Sequence, residues 1–174
     1  MNMNSTIKRH TSNEKAFTLI EVIVSLVLVG ILAAIAGMGL SKIAEGYTFA
    51  RQNAATTQSA QIAIARIVKE LSAATSITAA GASSVTYTRP ESSGSTTNTI
   101  DLNGSTVRVK VGADAAVPLI GNATALTLAY FNAAGTTTAS LPDIRRIDIS
   151  LTLNGANGQA LPAFTNTIYI QQVY

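Results

Sequence analysis

The sequence predicts an α+β protein: a long N-terminal helix, membrane-spanning in its first half, packed on a small antiparallel β-sheet. Three observations predict it. Residues 17–40 form one apolar run with a single formal charge, Glu21. Helical spacing of apolar and small residues continues past Ser41 to about Ser76. Beyond Gly81 the pattern changes to alternation with period two, the mark of half-buried strands.

The apolar run sets the first element. About two dozen residues at 1.5 Å each give a helix of roughly 36 Å, enough to cross a bilayer core of ~30 Å with some tilt. A bare anchor has no use for a carboxylate, and an acid at mid-span costs about 2.5–3.5 kcal/mol. Glu21 therefore needs either a shallow position or a partner. Small residues recur four apart, Gly30 with Ala34 and Ala33 with Gly37, a spacing that lets helices approach closely in lipid. Gly37 and Gly39 each weaken the helix by ~1 kcal/mol relative to Ala.

Residues 1–16 read as a polar, basic, disordered leader. Lys8, Arg9 and Lys15 against Glu14 place +2 of the chain's net +3 there. By the positive-inside rule this end stays in the cytoplasm and the rest lies outside. Ala34-Ile35-Ala36 also fits the cleavage pattern of a secretory signal peptide, which gives the alternative of a secreted binding domain cut after Ala36. Two features oppose it: the run is longer than a signal peptide's apolar region, and Glu21 lies inside it.

Residues 41–174 form the extracytoplasmic domain, with an amphipathic helix half over 41–76 and the sheet over 84–174. In the helix half, Ile43, Tyr47, Ala50, Ala54, Thr57, Gln61, Ile64, Val68 and Leu71 make one stripe. Lys42, Glu45, Arg51, Arg66, Lys69 and Glu70 lie mostly off it. No Pro occurs before Pro90, and Gly81 offers a C-cap. Strands are expected at Val85–Thr88, Thr99–Leu102, Thr106–Val111, Leu126–Phe131, Ile144–Leu153 and Thr167–Val173. Asn103-Gly104 predicts a type I′ hairpin turn. Segments 90–98, 132–140 and 154–158, rich in Ser, Gly, Asn and Thr, predict loops. The apolar strand faces need a cover, and the helix stripe supplies it.

Composition excludes several chemistries. There is no Cys, so neither disulfides nor thiol nucleophiles arise. The single His, His10, lies in the leader. No phosphate-binding loop, dinucleotide fingerprint or metalloprotease motif is present. No enzyme, cofactor or metal site is expected. Asp143 and Asp148 fall short of the six to eight oxygens a calcium ion takes, and read as a solvated strand face. Arg145-Arg146 has no aromatic interleaved in sequence, so no nucleic-acid partner is expected. Asn103-Gly104-Ser105 and Asn122-Ala123-Thr124 fit the glycosylation sequon, a pattern that arises easily by chance in a Thr-rich chain.

Phe17-Thr18-Leu19-Ile20-Glu21, behind a short basic leader and ahead of an unbroken apolar helix, resembles the type IV prepilins and pseudopilins. The resemblance covers roughly the first quarter of the chain. It implies cleavage between Ala16 and Phe17 by a prepilin peptidase, N-methylation of Phe17, and a role for Glu21 in filament assembly. Ala16 stands where the family commonly has Gly, and is small enough for the same subsite. The resemblance further implies a structural subunit, a minor pilin or pseudopilin, of a type IV pilus or type II secretion pseudopilus. A major pilin of the same class is the nearest alternative. Its expected partners are other pilin subunits, an inner-membrane assembly platform and, before assembly, membrane lipid. Its expected location is the inner membrane first and a periplasmic or surface filament afterwards.

Overall fold

The computed structural model describes residues 17–92 and 94–171. The leader, Ala16 and the Gln172–Val173 end of the last expected strand lie outside the described residues. One long helix, α1 (Leu19–Ser72), precedes eight strands: β1 (Ser76–Ala80), β2 (Ser84–Glu91), β3 (Gly94–Asn103), β4 (Thr106–Val111), β5 (Val117–Ile120), β6 (Ala123–Phe131), β7 (Arg146–Leu153) and β8 (Phe164–Tyr169). The strands form two antiparallel sheets of five and three strands, each in sequential order. The layout is α+β and pilin-like. The chain divides into two compact units, residues 1–46 and 47–174.

In the first unit, α1 starts at Leu19 because the Thr18 carbonyl accepts from Glu21 N–H at 3.1 Å and Val22 N–H at 3.3 Å. Every described residue from Phe17 to Gly46 is exposed. The helix passes unbroken through Gly37 and Gly39.

In the second unit, α1 buries a face built from Ala60, Ala63, Ile64, Ile67 and Leu71. This corrects the expected stripe. Ile64 and Leu71 are buried and Thr57 and Val68 half-buried, but Ala50, Ala54 and Gln61 are exposed, and Tyr47 is 69% exposed. Ile43, in the first unit, is exposed as well. The buried face is richer in Ala than the expected one, and small side chains let the helix lie close to the strands. It meets Val85 and Tyr87 of β2, Ile100 of β3, Val107 and Val109 of β4, and Ile147, Ile149, Leu151 and Leu153 of β7 in one core.

The helix ends at Ser72, not near Ser76. Thr75, Ile77 and Thr78 are β-branched and suit a strand better than one more helical turn. Thr75 N–H already pairs with Thr88 O at 2.8 Å, and β1 follows. Gly81 is thus no helix cap; it sits in the β1–β2 turn, its N–H on Ser84 O at 2.8 Å. The expected loop over 90–98 is instead a continuation of β2 and β3, paired from Ser84↔Asp101 out to Glu91↔Gly94. Pro90 is tolerated near the tip of that hairpin, and the Thr residues that suggested a loop are also good strand formers. β5 was not anticipated, because Val117-Pro118-Leu119-Ile120 does not alternate and contains Pro.

The Asn103-Gly104 hairpin forms with Asn103↔Thr106 as its last pair. Its turn differs from expectation: Gly104 has φ +59°, while Ser105 keeps a negative φ. Positive φ at the first central position alone is the II′ pattern, which needs Gly there. A different close approach occurs at Gly155, where a Cβ would lie 2.7 Å from Asn53 Oδ1. That oxygen accepts from Ala156 N–H at 3.0 Å and ties the 154–160 loop to α1.

Candidate functional site: the N-terminal helix

The residues singled out by sequence reasoning lie at the start of α1. Phe17 is 76% exposed and precedes the helix. Glu21 is the third helical residue, exposed, and the acid of the first turn. Thr18 and Glu21 have the spacing of a capping box, and a carboxylate here interacts favourably with the helix dipole, worth about 0.3–1 kcal/mol. Among the described residues Glu21 has no ion pair. Ser25 Oγ donates to the Glu21 carbonyl at 2.6 Å and returns a backbone bond, not one to the carboxylate. Ala16 lies outside the described residues, so the Ala16–Phe17 junction is not seen on both sides.

From Leu19 the helix is long and apolar enough to cross a membrane by length and composition, and none of its apolar stretch is buried within the chain. The side chains of Leu19, Ile20, Leu26, Val29 and Leu32 are all more than 60% exposed. Such a surface is stable only in lipid or against other helices. Gly30 and Gly37 each present open space where a Cβ would be, so the small-residue positions leave room for another backbone.

Other polar groups raised by the sequence serve contacts within the chain. Arg145 Nη1 donates to the Pro142 carbonyl at 2.7 Å. Arg146 lies 3.9 Å over the Phe131 ring and 3.2 Å from Asp148 Oδ1. Asp148 Oδ1 also accepts from Thr167 Oγ1 at 2.9 Å, while Asp143 lies apart in a short 3₁₀ turn. Among the described residues no three His, Cys, Asp or Glu gather to hold a metal ion.

Sequence reasoning missed one cluster. Glu70, placed off the stripe because it is charged, is buried and accepts from Arg66 Nε at 3.1 Å, Arg89 Nη1 at 2.9 Å and the Tyr87 hydroxyl at 3.3 Å. Its i−4 spacing from Arg66 is readable in the sequence; Arg89 and Tyr87 reach it only through the fold.

The chain thus has a pilin-like α+β layout with one long apolar N-terminal helix. Residues 11–37 match the prokaryotic N-terminal methylation motif, the signature of type IV prepilins and pseudopilins. Among curated proteins, none matches the chain. The motif's family is structural rather than catalytic. The motif implies processing by a prepilin peptidase and assembly with other pilin subunits. Motif and apolar helix together fit membrane anchoring before assembly into a filament.

Proposed function

We propose that this protein is a minor pilin or pseudopilin, a structural subunit of a type IV pilus or a type II secretion pseudopilus. Prepilin peptidase cuts between Ala16 and Phe17, and the new Phe17 amine is methylated. Before assembly the protein spans the inner membrane once, its leader in the cytoplasm and residues 41–174 outside. An inner-membrane assembly platform then moves it from lipid into a filament, where the Phe17–Leu40 helices of many subunits bundle and Glu21 guides register. The observation that carries this reading is the methylation motif placed on a helix whose apolar side chains find no cover in their own chain.

Intact mass of the protein recovered from membranes or sheared filaments tests it. The expected mass is that of a chain starting at Phe17 plus one methyl group. A chain starting at Gly37 would instead mean a signal peptide and a secreted domain. Co-purification in stoichiometric excess over every other filament protein would make it a major pilin rather than a minor one.

A further inference from the structure

The three-stranded sheet turns Leu126, Leu128, Ile147, Ile149, Leu151 and Ile168 into the core. Its other face is laid out in cross-strand rows, because directly opposed residues share a face. One row is Phe131, Arg146 and Tyr169; the next is Ala129, Asp148 and Thr167; the third is Thr127, Ser150 and Thr165. Tyr169 is 74% exposed, so its ring does little for the fold.

In the first row Arg146 is held on two sides. Its guanidinium lies 3.9 Å over the centre of the Phe131 ring, and its Nε lies 3.2 Å from Asp148 Oδ1. Its two Nη groups have no hydrogen-bond partner among the described residues. Arg145, the residue before β7, is tethered through Nη1 to the Pro142 and Ile144 carbonyls at 2.7 and 3.0 Å. Its Nε and Nη2 likewise have no hydrogen-bond partner among the described residues.

Both guanidiniums line one cleft of about 400 Å³, with Tyr169 and the 132–135 turn as its other walls. Asn132 Oδ1 braces that turn, accepting from Ala134 N–H at 3.0 Å and Thr136 N–H at 3.1 Å. No carboxylate lines this cleft. Asp148 borders it at Arg146 Nε, and Asp143 lines a neighbouring cleft that Arg145 shares. The two acids cancel the two arginines in net charge, so selection rests on short-range donor geometry and not on long-range attraction. A further cleft of about 410 Å³ lies over the next two rows, lined by Thr127, Asp148, Ser150, Thr165 and Thr167. Asp148 Oδ1 accepts from Thr167 Oγ1 at 2.9 Å. The hydroxyls of Thr127, Ser150 and Thr165 form no hydrogen bond among the described residues.

We propose that this face binds an acidic saccharide, a chain of hexuronate units. The carboxylate of one unit takes the remaining donors of Arg145 and Arg146. The same unit lays the C–H face of its ring on Tyr169. Hydroxyls of the next unit exchange hydrogen bonds with Asp148, Ser150 and Thr165. Phosphate or a simple carboxylate would use the guanidiniums and leave Tyr169 and the hydroxyl rows without a role. A peptide strand would seek an open sheet edge, and this is a sheet face. The proposal stands apart from filament assembly and from processing at Phe17.

The test titrates trigalacturonate into the full-length chain in neutral detergent micelles, by calorimetry, with backbone amide shifts locating the site. Shifts should concentrate at 132–135, Arg145, Arg146, Asp148, Ser150 and Tyr169. The fully methyl-esterified trisaccharide, of similar shape but uncharged, should bind at least about tenfold more weakly, as loss of a charge-assisted pair requires. Arg145→Gln and Arg146→Gln should each weaken trigalacturonate to a similar extent. Tyr169→Ala, at an exposed position, should leave the fold intact and weaken trigalacturonate by about fivefold, without changing the weaker binding of acetate. No binding at millimolar trisaccharide, or undiminished binding of the ester, overturns the proposal. Equal affinity for inorganic phosphate or for the peptide Gly-Gly-Tyr overturns it too, and makes the cleft a general anion or peptide-carboxylate site. Residues 172–174 lie outside the described residues. If a chain ending at Gln171 binds the trisaccharide about tenfold more tightly than the full chain, the cleft belongs to those residues and the proposal falls.

Discussion

The guanidinium of Arg89, on β2, lies 2.9 Å from the buried carboxylate of Glu70, on α1. The pair fastens the last turns of the helix to the five-stranded sheet. Arg66 approaches the same carboxylate from the helix, and the Tyr87 hydroxyl from inside the core. Glu70 is 6% exposed at its side chain, against 29% for Arg89 and 54% for Arg66. Removing Glu70 therefore leaves two cations that can still reach water and one buried phenol that cannot.

Glu70→Ala should destabilise by about 2–3 kcal/mol, below the 3–5 kcal/mol of a fully buried pair because both arginines can be resolvated. Urea unfolding of the full chain in detergent, followed at the far-ultraviolet strand signal, measures it. A midpoint unchanged from the parent would mean that the cluster contributes nothing net.

Alkaline pH should weaken the fold through two tyrosines. Burial, and then the Glu70 charge, pushes the Tyr87 hydroxyl well above the ordinary phenol range. Burial does the same to Tyr130. The Tyr130 hydroxyl lies 2.9 Å from the Gly81 carbonyl and 3.1 Å from that of Ser84, linking the two sheets. A raised folded-state pKa means that the folded protein holds the proton more tightly than the unfolded chain. The stabilisation is complete below the ordinary phenol value of about 10 and is lost as pH rises above it. Urea midpoints should thus fall steeply above pH ~10, and Tyr130→Phe should make that fall shallower.

Periodicity made the two helix halves and most strands legible, because Leu126–Phe131 and Ile147–Leu153 show their alternation within a few residues. The rotation of α1 over the sheets was not legible. Ile43 and Tyr47 looked like core from hydrophobicity, while Ala60 and Ala63, at full burial, carry little hydrophobic signal of their own. Nor could sequence distinguish the β2–β3 hairpin from a loop, since Thr and Ser serve both. Glu21 was legible because one charge in a long apolar run is conspicuous; Glu70 was not, because a charge on a polar helix half is ordinary. The difference is testable. Ile67→Asp should be severely destabilising, by about 3 kcal/mol or more, since it buries an unpaired charge at a fully buried position. Tyr47→Asp, at a 69% exposed position, should leave the urea midpoint nearly unchanged. Equal effects would restore the expected stripe.

Glu21 is the residue whose presence the anchor does not explain. In the single chain it lies in the first turn of α1, exposed and without an ion pair among the described residues. Near the membrane surface that costs little, since water and the helix dipole both favour a carboxylate there. Bundled among apolar helices, the same group would be desolvated and costly unless paired. Cleavage before Phe17 would create a positive amine four residues away, and a staggered neighbouring helix could bring its amine alongside. Such a pair penalises wrong registers more than it adds stability, because a mis-set subunit strands both charges. Glu21→Ala should therefore insert and be processed normally but enter filaments at least about tenfold less, the consequence of an energy difference of ~1.4 kcal/mol or more per subunit. Glu21→Gln should fail likewise, since the amide keeps the shape and loses the charge. Co-purification with sheared filaments, with intact mass read on the same samples, measures both steps. Normal incorporation of both variants would leave the carboxylate with the helix-capping role that its position at the third residue of α1 already supplies.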